Sequence, residues 1–286
     1  MNQVPQPSQS QSTALIALFR AAESPEARRC VLLALVLVCL NSGTLWAKAV
    51  PNPSPPFPQE GARKAEAVRV DRAPRLDGTL NDPLWQLAKP IADFRQREPR
   101  EGEAATEKTE VRILYTRHAV YFGIQCFDSE SSRIIATELR RDVSQELDDH
   151  FEILIDSNHD RRDGYVFQIN PLGTQIDGLI VGEQKSSQGV DFDSGWDGVW
   201  ISEARIAQGG WTATVEIPFS TLNFTKSKDV IWGLNFKRFI RRKNEEDIWA
   251  AYRRTFGIIK VSEAGELTGI TDIGSGRLFV FLSWRR

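Results

Sequence analysis

The sequence predicts an all-β fold over residues 64–273: an antiparallel two-sheet β-sandwich, jelly-roll-like, with one or two short helices. Three observations carry that expectation. Short segments alternate apolar and polar residues with a period of two, which turns one face of a strand inward and the other outward. Gly, Pro, Asn and Asp punctuate these segments at intervals of about 8–12 residues. Strands do not alternate with long amphipathic helices, which excludes the βαβ unit of a parallel sheet.

In chain order, Glu66–Val70 is the first alternating segment. Asp82-Pro83-Leu84-Trp85-Gln86-Leu87-Ala88 carries an Asp cap and a Pro at the first helical position, enough for one or two turns. Its Trp85 is expected to plug one end of the sandwich. Glu110–Tyr115 and Val120–Phe127 read as a hairpin around Arg117-His118-Ala119. Ser132–Leu139 is a short helical piece. His150–Asp156 sets Phe151, Ile153 and Ile155 against His150, Glu152 and Leu154. Tyr165–Asn170, Gln175–Val181, Val199–Ile206 and Gly210–Ile217 continue the series. A helical turn at Pro218–Leu222 precedes Val230–Ile240, and Ile248–Tyr252 closes the set. Gly210-Trp211 and Trp232-Gly233 place large rings on inward faces, with Gly easing close backbone approach. The basic run Lys237, Arg238, Arg241, Arg242 and Lys243 is followed at once by Glu245, Glu246 and Asp247, and reads as a solvated hairpin end.

The chain has 286 residues, 41% hydrophobic and 26% charged, as in ordinary globular proteins. A net charge of −2 and a pI near 6.0 give no electrostatic reason to expect nucleic acid. Residues 1–49 read as a signal peptide with an extended N-region. Arg20, Arg28 and Arg29 precede the apolar run Cys30–Leu40, and Ala47-Lys48-Ala49 is a small-x-small cleavage pattern. The run is too short to cross a bilayer, which takes about 20 residues; the rival reading is an uncleaved N-terminal anchor. The protein is therefore expected to be exported: periplasmic, outer-membrane-associated or secreted. Residues 50–63 form a linker around the stiff Pro51–Pro58 run. Cys30 and Cys39 leave with the leader, so Cys126 stays as a buried thiol without a disulfide partner.

The turn from Asp156 to Gly164 spaces the oxygens of Asp156, Asn158, Asp160 and Asp163 in a way that suits a hard cation such as Ca²⁺. It is not an EF-hand, and the rival reading is a polar turn whose Arg161 and Arg162 balance its own carboxylates. Asp148, Asp149 and Glu152, with Glu216 across the sandwich, raise glycosidase chemistry, which needs two carboxyls at about 5–9.5 Å beside a sugar cleft. Acidic residues on a solvent-facing strand are the ordinary alternative, and no catalytic residue is assigned. A sugar platform needs aromatic faces. Trp196 and Trp200, in a Gly/Asp-rich loop, are the first candidates; Trp249 and Tyr252 are the second. Trp200 begins a strand and reads as core as readily as platform. His118, His150 and His159 show no metal-ligand spacing. No phosphate loop, nucleophile elbow or dinucleotide fingerprint is present.

Seven segments then stand in a recognisable order. They are Leu76-Asp77-Gly78 with Asp82 and Trp85; Val120–Ile124 with Asp128; Asp148–Ile153 with Asp156; Tyr165–Gly173 with Asp177; Gly210-Trp211; Glu216–Phe219; and Trp232–Phe236. Over Val68–Ile273 the chain resembles the family 9 carbohydrate-binding modules, above all the version at the N-terminus of bacterial outer-membrane barrel proteins of unknown function. The resemblance implies non-catalytic recognition of an oligo- or polysaccharide, a link to carbohydrate catabolism, and a structural Ca²⁺. It also implies an alternative role as an interaction or plug domain for an outer-membrane β-barrel, with residues 274–286 as the place where such a barrel would begin. Hydrolysis of O-glycosyl bonds is the third reading. Sugar-binding members carry a stacking Trp a few residues before the Asp-x-hydrophobic-Glu-Ile strand, where this chain has Ser144-Gln145-Glu146-Leu147. Glu146 cannot stack, but it can accept hydrogen bonds from sugar hydroxyls.

Overall fold

The computed structural model describes residues 63–183, 191–225, 229–255 and 257–273. The leader with Cys30 and Cys39, the linker up to residue 62 and the tail 274–286 lie outside the described residues. Fourteen strands are described: β1 (Lys64–Glu66), β2 (Val68–Arg69), β3 (Arg95–Glu98), β4 (Thr109–Tyr115), β5 (Ala119–Phe127), β6 (His150–Asp156), β7 (Gly164–Ile169), β8 (Gln175–Val181), β9 (Asp191–Asp193), β10 (Ile201–Ala207), β11 (Gly210–Pro218), β12 (Asp229–Ile240), β13 (Glu245–Ile248) and β14 (Gly265–Thr271). No α-helix is found among the described residues; the helical pieces are 3₁₀ turns such as Pro83–Leu87 and Phe219–Thr221.

The strands form two sheets. One runs β1-β14-β12-β6-β7-β8-β9, with β13 and β3 continuing from β12; the other runs β10-β11-β5-β4-β2. All neighbours are antiparallel except β1 with β14 and β2 with β4, which are parallel. The core lies between the sheets and is built as the alternation requires. Phe151, Ile153 and Ile155 of β6 and Trp232, Leu234 and Phe236 of β12 meet Val120, Phe122 and Ile124 of β5 and Trp211, Ala213 and Val215 of β11. Phe236 stands edge-on to Phe122 at 6.0 Å, an arrangement that aromatic quadrupoles favour. Cys126 is a buried free thiol, and burial pushes its pKa up to about 12, so it is no nucleophile.

Two smaller clusters cover the outer faces. On the five-stranded sheet, Trp85 packs with Val70, Ala88, Leu114, Ala119 and Tyr121. It therefore covers a face of the sandwich instead of plugging an end. Asp82 accepts a hydrogen bond from Leu84 N and caps the turn, while Gly123 of β5 leaves room for the indole on the sheet face. On the nine-stranded sheet, Leu154, Val166, Ile180 and Ile248 are covered by Tyr252, Ile258, Val261 and Ala264. The last predicted strand moves earlier, to β13, and the segment after it becomes this cover.

The basic run does close a hairpin, with Arg241–Lys243 turning the chain from β12 to β13, but it is not simply solvated. Lys237 and Arg238 are neighbours on β12, so they point to opposite faces of the sheet. Arg238 enters the core, donating to the carbonyls of Lys108 and Phe127 and to Thr109 Oγ1. Arg242 is also buried and binds Asp128 at 2.7 Å and Glu107 at 3.1 Å.

Candidate functional site

The register of the nine-stranded sheet assembles a groove on its outer face. Ile176, Gln168, Glu152 and Lys237 stand opposite one another across β8, β7, β6 and β12, and His150 stands opposite Phe239 in the adjacent row. Glu246 of β13 faces Phe239. The segment Asp142, Ser144, Gln145 and Glu146 forms one wall; Phe192 and Ser194 at β9, with Ile259 of the covering segment, form the other. The groove is open to solvent and has a volume of about 670 Å³, within the range of small-molecule sites.

Its floor is charged and buried. Lys237 Nζ lies 2.5 Å from Glu152 Oε1, and His150 Nε2 lies 3.2 Å from the same oxygen. Burial pushes the Glu152 carboxyl up, but Lys237 and His150 outweigh it and hold the group at about 2. Burial likewise pulls Lys237 down, while Glu152 and Glu246 raise it further. The pair is thus ionised at neutral pH, and Glu152 holds no proton to donate. The other nitrogen of His150, Nδ1, lies 3.2 Å from the carbonyl oxygens of Gln145 and Asp148. Its ring lies 5.1 Å from that of Phe239 at 32°. Gln168 Nε2 donates to Gln145 Oε1, and Gln145 Nε2 donates to Thr174 O, which fixes the wall to the floor. At the rim Arg97 pairs with Glu246 at 2.6 Å. Phe192 is 42% exposed and lies across Gly178, where a Cβ would meet its ring at 2.4 Å.

A model of the carbohydrate family 9 binding domain-like family matches residues 76–253, more than half of the chain. The chain belongs to this family. Solved structures agree in fold. Two structures of a family 9 carbohydrate-binding module from Caldicellulosiruptor kristjanssonii are both 13% identical to it. The complex with cellotriose matches with a TM-score of 0.50 over 78% of this chain and 100% of that one. The complex with glucose gives 0.51 over 72% and 95%. A protein from Bacteroides uniformis ATCC 8492 gives 0.57 at 12% identity over 72% and 99%. No curated protein is significantly similar to the chain.

Within this family 9 domain the predicted site residues fall in different places. Glu146 is exposed on the groove wall. Trp200, Trp249 and Tyr252 are 4, 3 and 3% exposed and have no open ring face. Trp200 packs edge-on to Phe167, and Trp249 against Phe236. Trp196 keeps part of its ring in solvent beside Tyr165, at 5.1 Å, but does not line the groove. These four rings therefore do not meet in one platform.

Carboxylates of the Asp156–Asp163 turn accept from nearby backbone amides. Asp156 accepts from the amides of Asp160 and Arg161, Asp160 from those of Arg162 and Asp163, and Asp163 from that of Gly182. Burial raises the Asp156 carboxyl. Asn158 is exposed. Among the described residues one acidic trio, Asp142, Asp177 and Asp197, brings its oxygens within 4.8 Å of one another. The Arg141 guanidinium already fills it, at 2.7 Å from Asp177 and 2.6 Å from Asp197.

The carboxylates weighed for glycoside hydrolysis are dispersed. Asp148 accepts from the amides of Thr137 and Glu138 and from Asn170 Nδ2, and Asp149 accepts from Ile135 N, so both anchor the incoming segment. Glu216 does not face them across the sandwich: Val215 and Ile217 fill the core and turn it to the outer face of the other sheet. Sequence reading passed over Lys237, Phe239, Gln168 and Phe192. The signal was the outward positions of the predicted strands, where a Lys and a Phe two residues apart on β12 share a face with His150 and Glu152 of β6.

Proposed function

We propose that the chain is a non-catalytic sugar-binding module of an exported protein serving carbohydrate catabolism, and that its ligand lies in the groove over β6, β7, β8 and β12. The observation that carries the reading is the composition of that groove. Phe239 and Phe192 offer apolar faces for the C–H side of a pyranose. Lys237, Gln168 and Glu152 stand in one row between them to meet hydroxyls, and Lys237 has donors left after pairing with Glu152. Family membership and the sugar complexes of the Caldicellulosiruptor module support the same reading. Glu146 on the wall is assigned to a hydroxyl. Trp196 is assigned a peripheral contact at most.

The test is titration calorimetry of the purified protein with cello-, xylo- and chito-oligosaccharides. Saturable binding is expected, weakened at least about tenfold, or ~1.4 kcal/mol, by Phe239→Ala and by Phe192→Ala. Trp196→Ala should bind as the parent does. Thermal melting checks that each variant is folded; Phe192 is exposed enough to be replaced without loss of fold. Full binding by a folded Phe239→Ala, Phe192→Ala double variant would remove the groove as the site.

A further inference from the structure

We infer that the groove selects by charge, favouring amino sugars over neutral sugars and neutral sugars over uronic acids. The inference rests on the groove being the sugar site. Five carboxylates line it, Asp142, Glu146, Glu152, Asp177 and Glu246, against the single ammonium of Lys237. Two cations reach these carboxylates from outside the lining: Arg97 binds Glu246, and Arg141 binds Asp177 while lying 3.3 Å from Asp142. Arg141 is shared further with Asp197, so the wall it serves keeps a negative excess. Lys237 is committed to Glu152 at 2.5 Å.

Glu146 is left. It is exposed on the wall and has no ion-pair partner among the described residues. An ammonium group on a bound sugar could pair with it, and with the open side of Asp142. A carboxylate on the sugar would meet the carboxylate excess of the lining, and would share Lys237 with Glu152. Low-dielectric walls focus the summed field on whatever enters the groove.

The experiment compares three β-1,4-linked trisaccharides of one backbone geometry, those of glucose, of glucosamine and of glucuronate. Each is titrated at pH 6 into the intact protein in 20 mM and in 500 mM NaCl. At low salt the glucosamine trimer should bind about 3–10-fold more tightly than cellotriose, and the glucuronate trimer more weakly than either. High salt should compress the order, since the Debye length then falls well below 10 Å. Glu146→Gln, which keeps an oxygen to accept from a hydroxyl but removes the charge, should lower the ratio of glucosamine-trimer to cellotriose affinity towards one. Equal affinity for glucosamine and glucose trimers, or tighter binding of glucuronate, would overturn the charge selection and leave the sugar site standing. Absence of binding by all three from a folded protein would instead strike the site assignment on which the selection rests.

Discussion

Two neighbouring residues carry the division of labour in this domain. Lys237 and Arg238 look alike in sequence, yet the pleat sends one to the groove and the other to the core. Cross-strand from Arg238 sits Asp247, 0% exposed, with no hydrogen-bond partner on either carboxylate oxygen. Burial, with Glu245 adding to it and Arg238 opposing, raises its pKa from the ordinary 3.8 to about 8. The folded state therefore holds a proton that the unfolded chain has lost, so stability falls as pH climbs from about 4 to about 8 and levels off above. Asp247→Asn keeps the shape and removes the ionisation. Urea unfolding should find it more stable than the parent by about 1–3 kcal/mol at pH 9, with a flatter pH profile. An unchanged profile would mean that Asp247 is ionised throughout. Arg238→Met should cost about 3–5 kcal/mol, since it leaves the carbonyls of Lys108 and Phe127 and the Thr109 hydroxyl without their buried donor.

At the scale of elements, long alternating strands were legible and short ones were not. His150–Asp156 and Gln175–Val181 have the boundaries the alternation predicts, because each has one face committed to the core. β3, β9 and β14 were passed over. The first two are short, at 4 and 3 residues, and draw their order from pairing with neighbours, not from a pattern of their own. In β14, Gly265 and Gly269 interrupt the apolar positions. The Pro83–Leu87 turn shows the opposite limit. Its cap was visible, but where Trp85 would pack depended on Gly123, more than thirty residues away in sequence. A Cβ there would stand 2.7 Å from Trp85 Cε3 and 2.9 Å from Leu80 Cδ2. Gly123→Ala should therefore cost about 1–3 kcal/mol by overpacking, and Trp85→Ala about 3–5 kcal/mol by leaving a cavity, both read from denaturant midpoints. A neutral Gly123→Ala would show that the turn can move away from the sheet.

For the whole molecule, fold and family were readable because they depend on the order of many local signals. The groove was not, because it exists only once β12 lies beside β6 in one register. A shift of one residue would turn Lys237 inward and Arg238 outward. The buried platform rings fail for a related reason: a Trp in a Gly-rich loop is as useful closing a sandwich end as offering a face to solvent. Export is a whole-chain property too. If residues 1–49 act as a leader, protein recovered from the cell envelope should begin near Val50 by N-terminal sequencing; a chain retaining Cys30–Leu40 there would favour the anchor reading.

The parallel pairing of β1 with β14 gives the domain a mechanical character. Lys64 lies beside Glu266 and Glu66 beside Thr268, so the chain enters along one strand and departs along its neighbour in the same direction. Tension between the two ends then pulls these strands lengthwise past each other. Their hydrogen bonds are loaded together instead of opening one at a time, and the rate of forced unfolding, not equilibrium stability, governs failure under load. Held by its two chain ends, the domain would thus resist being drawn out along its own chain.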